Sequence, residues 1–107
     1  MAAGKKYELF LTELAYSDLD NIYAYIKNTI QMPDTAEKQI TRIEKAILKL
    51  ERYPFSSSQV TDEMLAQKGY RKLVVDNYIA FYLADEEKKK VTVMRVLYGA
   101  QKYDDIL

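Results

Sequence analysis

The strongest constraint on this chain is a change of hydrophobic period part-way along it. Ala15, Leu19, Ile22 and Ile26 stand four, three and four residues apart, which places them on one face of a helix, and Ile30 extends the stripe. Thr12 or Ser17 is suited to cap the start, and Asp18 and Asp20 suit an early turn near the positive helix end. Tyr16, Tyr23 and Tyr25 flank the stripe and are expected to pack along its edges. Pro33 interrupts the pattern and restarts it, since proline is favoured at the first helical position. Ala36, Ile40, Ile43, Ile47 and Leu50 form the second stripe, and Pro54 ends it. Two helices joined by so short a turn form a helical hairpin.

Beyond residue 70 the apolar residues come instead in short β-branched and aromatic runs. Tyr70–Val75 and Tyr78–Leu83 read as strands around Asp76-Asn77, a pair that tolerates the positive φ of a two-residue hairpin turn. Val91–Leu97 is a further strand, reached through the charged turn Asp85–Lys89. Upstream of the helices, Tyr7–Leu11 reads as a short strand near a sheet edge, guarded by Lys5 and Lys6. Residues 53–67 form the longest irregular stretch. Within it Thr61 or Asp62 is placed to cap a short helical turn over Met64–Ala66, with Gly69 as its stop. Gln101–Leu107 reads as a short helical turn or irregular chain. The order implies an α+β fold: an N-terminal strand, a helical hairpin and a three-stranded antiparallel meander, with the helices packed on one face of the sheet. The other face is expected to stay partly free. A chain of 107 residues has the length of a single domain, here 1–107.

Composition narrows the chemistry. With no Cys and no His there is no disulfide, thiolate nucleophile, imidazole base or Cys/His metal site, and scattered carboxylates make a poor one. The three glycines fall in no phosphate-binding pattern, so no metal and no cofactor is expected. No apolar run approaches the ~20 residues of a membrane span, and the start lacks a secretory signal pattern. The cytoplasm is the default location. What remains is a basic and aromatic set on the strands and tail, comprising Arg71, Lys72, Tyr78, Tyr82, Arg95, Tyr98, Lys102 and Tyr103. Arginine and lysine can hold phosphate or steady a developing charge, and tyrosine can stack or move a proton. Strand alternation puts Arg95 with Val91, Val93 and Leu97, but Tyr98 with Thr92, Met94 and Val96. The two face the same way only if the strand ends or bulges near Leu97. The plainer structural alternative pairs Arg95 with a carboxylate and packs the tyrosines on the helices.

Four stretches carry a family likeness: Ala15-Tyr16-Ser17-Asp18-Leu19, the span from Pro33 to Pro54, and the C-terminal pieces Tyr70 to Glu87 and Val91 to Leu107. Together they resemble the RelE/ParE superfamily of toxins from type II toxin–antitoxin modules, of the plasmid-stabilisation type. The resemblance covers nearly the whole chain. It implies a bacterial growth-inhibiting toxin neutralised by a cognate antitoxin segment that wraps its surface. RelE-like relatives are metal-independent mRNA endonucleases acting on the ribosome, whereas ParE-like relatives inhibit DNA gyrase by binding. Arg71 matches the family's strand-opening arginine, but Ile79 stands at a position that is often basic. After the last strand, Tyr98 replaces a common His, and Ala100 and Gln101 replace paired arginines. If the chain is a nuclease, its catalytic candidates are Arg71, Arg95, Tyr98, Lys102 and Tyr103. The departures favour a ParE-like binder. The alternatives are a RelE-like nuclease and an attenuated homologue that only binds antitoxin.

Charge distribution bears on the target. The 16 basic and 16 acidic residues cancel, which argues against affinity built on neutralising phosphates. Residues 68–102, however, carry eight basic and four acidic residues, so positive charge gathers in the strand segment.

Overall fold

The change of period is built into the architecture directly. A computed structural model describes residues 6–56 and 63–99. Its elements are β1 (Glu8–Leu11), α1 (Glu13–Ala24), α2 (Pro33–Leu48), α3 (Glu63–Gln67), β2 (Arg71–Val75), β3 (Tyr78–Asp85) and β4 (Lys90–Tyr98). One four-stranded sheet runs in the order β1-β4-β3-β2. The β2-β3-β4 meander is antiparallel as expected, and β1 adds at its edge in parallel to β4. The parallel pairing makes the sheet mixed, because the helical hairpin carries the chain back over the sheet before β2 begins.

Both stripes face the sheet. Ala15 and Leu19 of α1 and Ile43, Ile47 and Leu50 of the α2 segment pack on Ala80, Tyr82, Val91, Val93 and Val96. Pro33 opens α2, as its fixed φ favours. Ile30 leaves the stripe. The last turn of the first helix, Tyr25–Thr29, is a π-helix whose Ile30 N–H bonds the Tyr25 carbonyl at 3.1 Å. Its wider winding rotates Ile30 away from the core, leaving it 47% exposed.

The opposite sheet face is less open than the sequence suggests. Leu65 of α3 and Tyr70 pack there on Phe81 and Leu97, and consequently three consecutive residues of β3, Ala80–Tyr82, are buried. Gly69 closes α3 at φ +88, a left-handed value that glycine adopts without strain. The expected caps Thr61 and Asp62, and the tail Gln101–Leu107, lie outside the described residues.

Two polar ties fix the ends of this core. The buried Tyr82 hydroxyl donates to the Pro54 carbonyl at 2.7 Å, anchoring the loop after α2. In the β2–β3 turn Asp76 takes φ +56, and its carboxylate accepts from Arg42 and Gln39 of α2. Those bonds, Arg42 first and then Gln39, hold the Asp76 carboxyl below its ordinary value of 3.8. The stabilisation is therefore present above pH 3.8 and is lost as pH falls through the lowered folded value. Urea denaturation from about pH 6 down to about pH 2 should show Asp76→Asn lacking part of the wild-type loss of stability at the acid end.

Candidate functional site

Three features of the β1–α1 junction decide what β4 presents to its neighbours. β1 stops at Leu11, opposite Val93, and the Thr12 N–H still bonds the Val93 carbonyl at 3.0 Å. The Thr12 hydroxyl then donates to the Met94 carbonyl at 2.7 Å and accepts from the Ala15 N–H at 3.0 Å. One side chain thus caps α1 and ties its start to β4. Beyond that point no strand among the described residues lies beside this edge of β4, and α1 supplies a carboxylate instead. Asp18 Oδ2 accepts the Val96 N–H at 2.9 Å. The same carboxylate receives the Arg95 Nε and Nη2 donors, each at 2.8 Å, in a bidentate pair.

This fastening coincides with a bulge. Phe81 pairs with Arg95, but Tyr82 pairs with Val93, so Met94 is an extra residue in β4. An inserted residue reverses the alternation of everything after it. Val91 and Val93 face the helices before the bulge, and Val96 does so after it. Tyr98 therefore falls on the helical side with Val96, whereas Arg95 joins it in one groove through its pairing with Asp18 at the edge that β1 leaves uncovered. The register runs without a shift from Arg95 to Tyr98, so no bulge stands near Leu97 to turn the two the same way.

The groove is walled by Ile22, Tyr25 and Ile30 on the helical side and by Tyr78 and Tyr98 on the strands, with the Asp18–Arg95 pair in its lining. Tyr78 and Tyr98 meet edge-on, their ring centres 5.8 Å apart. Burial, with Tyr98 and Tyr25 nearby, pushes the Tyr78 hydroxyl above its ordinary value, so it stays protonated and able to donate at neutral pH. The Asp18 hydrogen bonds likewise favour charged Arg95.

The other candidates are not brought together with these. Arg71 lies two strands away from β4, about 10 Å across the sheet. Its guanidinium donates to the Phe55 carbonyl at 3.1 Å and sits 5.4 Å from the centre of the Phe55 ring. It thereby pins the loop after α2 and does not line the groove. Tyr82 is a core residue. Lys102 and Tyr103 lie outside the described residues. Among the described residues no group of three His, Cys, Asp or Glu stands ready to hold a metal ion. None of the described helices is long and apolar enough to cross a membrane.

A second cleft lies between α1, α2 and β1. Leu9, Leu11, Leu19 and Ile47 form its apolar lining, with Tyr16, Tyr23 and the carboxylates Asp20 and Glu44 around them. Tyr16 and Tyr23 thus edge a cleft, and Leu48 beside them is 54% exposed.

The family model described as the ParE toxin of type II toxin–antitoxin system, parDE, matches residues 9–103. The chain belongs to the ParE toxin family. As such it is the toxin component of a type II toxin–antitoxin system. Its fold is similar to that in the chromosomal ParDE system of P. aeruginosa, at TM-score 0.71 and 22% identity, covering 89% of this chain and 98% of that one. It is also similar to a chain of the Mycobacterium tuberculosis RelBE2 toxin–antitoxin complex, with TM-score 0.63, 23% identity, and 92% and 97% covered. The isolated E. coli RelE toxin matches at TM-score 0.52 and 17% identity, over 94% of each chain. No curated protein matches the sequence.

The residue that the candidate set missed in this ParE-family chain is Asp18. A signal for it exists: Asp18 falls three after Ala15 and four before Ile22, on the apolar stripe itself, where an unpaired carboxylate would be costly. Reading it only as a charge near the helix start overlooked that position. Asp18→Ala should lower stability by about 3 kcal/mol in urea denaturation, because it strands Arg95 and the Val96 N–H together. Combined with Arg95→Met, the loss should be clearly smaller than the sum of the two single losses.

Proposed function

We propose that this toxin inhibits growth by binding, in the ParE manner on DNA gyrase, and that a cognate antitoxin neutralises it. The observation that carries the reading is the double hydrogen bond of Arg95 to Asp18. Cleaving RNA needs a cation that steadies charge developing on the phosphate and a group that activates the attacking hydroxyl. Arg95 is the cation of β4 that lines the groove, and a carboxylate from its own chain already neutralises it. Arg71 is across the sheet, engaged with Phe55. A surface of this kind suits adhesion better than phosphoryl chemistry, and a protein working on gyrase acts in the cytoplasm.

The P. aeruginosa ParDE system and the RelBE2 complex both pair a toxin with an antitoxin, which supports the same partnership here. The cleft between α1 and α2 supports it too. It offers apolar area for an amphipathic segment, and Asp20 and Glu44 would meet basic residues on that segment.

Purified protein added to DNA gyrase and relaxed plasmid should abolish ATP-dependent supercoiling and accumulate cleaved complexes. Unchanged supercoiling, together with new 5′ ends on translated mRNA in primer extension, would overturn the binding reading in favour of a ribosome-dependent nuclease.

A further inference from the structure

The groove at the end of β4 and the cleft between the helices differ in charge. The cleft lining carries Asp20 and Glu44 and no basic residue. The groove lining carries one acid and one base, Asp18 and Arg95, bonded to each other. Its remaining polar residues are Asn21, Asn77 and tyrosines. Among the described residues, a phosphate backbone would find no available cation there, and a strongly basic segment would find no available carboxylate. What the groove offers instead is exposed apolar and aromatic surface drawn from two parts of the fold, the π turn and the end of β4. Tyr25 is 55% exposed, Ile30 stands out from the π turn, and Tyr98 is 48% exposed on β4.

Exposed apolar side chains that converge from separate elements mark contact surfaces more often than isolated ones do. Tyrosine with asparagine is also a composition suited to protein recognition, because the ring adds contact area at low entropic cost. The shape is preset. The bulge at Met94 turns Tyr98 into the groove, and the π turn lifts Ile30 to its rim. A volume of about 760 Å³ accommodates one or two large side chains.

We propose that this groove is the surface by which the toxin grips its protein target, gyrase, and that it takes an uncharged apolar or aromatic side chain of that target. The proposal rests on the binding reading above. It assigns the two partners to different surfaces, the acidic cleft to the antitoxin and the neutral groove to the target.

The test compares Ile30→Asp and Tyr25→Ala with wild type and with Glu86→Lys, a change in the exposed β3–β4 turn. The readouts are half-inhibition of gyrase supercoiling, direct binding to purified gyrase subunits, and thermal melting by circular dichroism. Both groove variants should melt like wild type and need at least ~10-fold more protein for half-inhibition, as expected when a contact of hot-spot strength is removed. Glu86→Lys should inhibit like wild type. If wild type inhibits and both groove variants inhibit equally well, this proposal falls and the binding reading stands. A wild type that leaves gyrase untouched overturns the binding reading and this proposal with it. A wild-type dimer by light scattering that Ile30→Asp converts to monomer assigns the groove to a second copy of the chain and overturns the proposal.

Discussion

A single carboxylate holds together the part of this molecule on which its surface depends. Asp18 accepts hydrogen bonds from the Val96 N–H and from two nitrogens of Arg95, all at 2.8 to 2.9 Å. β1 covers the edge of β4 only as far as Val93, so without Asp18 the Val96 N–H would be a buried donor lacking a partner. The bulge at Met94 lies in the same gap, and Thr12 holds its carbonyl from the other side. One helix start therefore substitutes for a missing turn of strand. It also keeps the reversed alternation that puts Tyr98 beside Tyr78 and Tyr25.

Most of the architecture was legible because it rests on local periodicity. The two stripes gave the hairpin, and the β-branched runs gave the meander together with its Asp76-Asn77 turn. Ile30 departs from the stripe because a π turn changes the residue count per turn, and nothing in its own sequence marks that change. The covering of the far sheet face by Leu65 and Tyr70 was hidden for a similar reason, since a five-residue helix carries too little pattern to show which face it covers.

The candidate site was legible only in part. Sequence alternation separates Arg95 from Tyr98, and the bulge at Met94 precedes both and leaves them so; they share the groove because Asp18 holds Arg95 at the open edge of β4. It could not show that Arg71 turns to the loop at Phe55, a contact between residues 16 apart through a backbone carbonyl that any sequence offers. The plainer expectation for Arg95, a carboxylate partner, describes its geometry. A neighbouring element supplies the counter-charge to Arg95, which strand alternation alone does not reveal.

The parallel pairing of β1 with β4 has a consequence in time. Thr12 and Met94, which hydrogen-bond across that junction, stand 82 residues apart in the chain. During synthesis β1 and the helical hairpin emerge long before β4 exists, and contacts so distant in sequence form late. Until β4 leaves the ribosome, Asp18 has no Val96 N–H to hold and the tyrosine groove has no strand wall. Until that point the nascent toxin lacks its assembled surface.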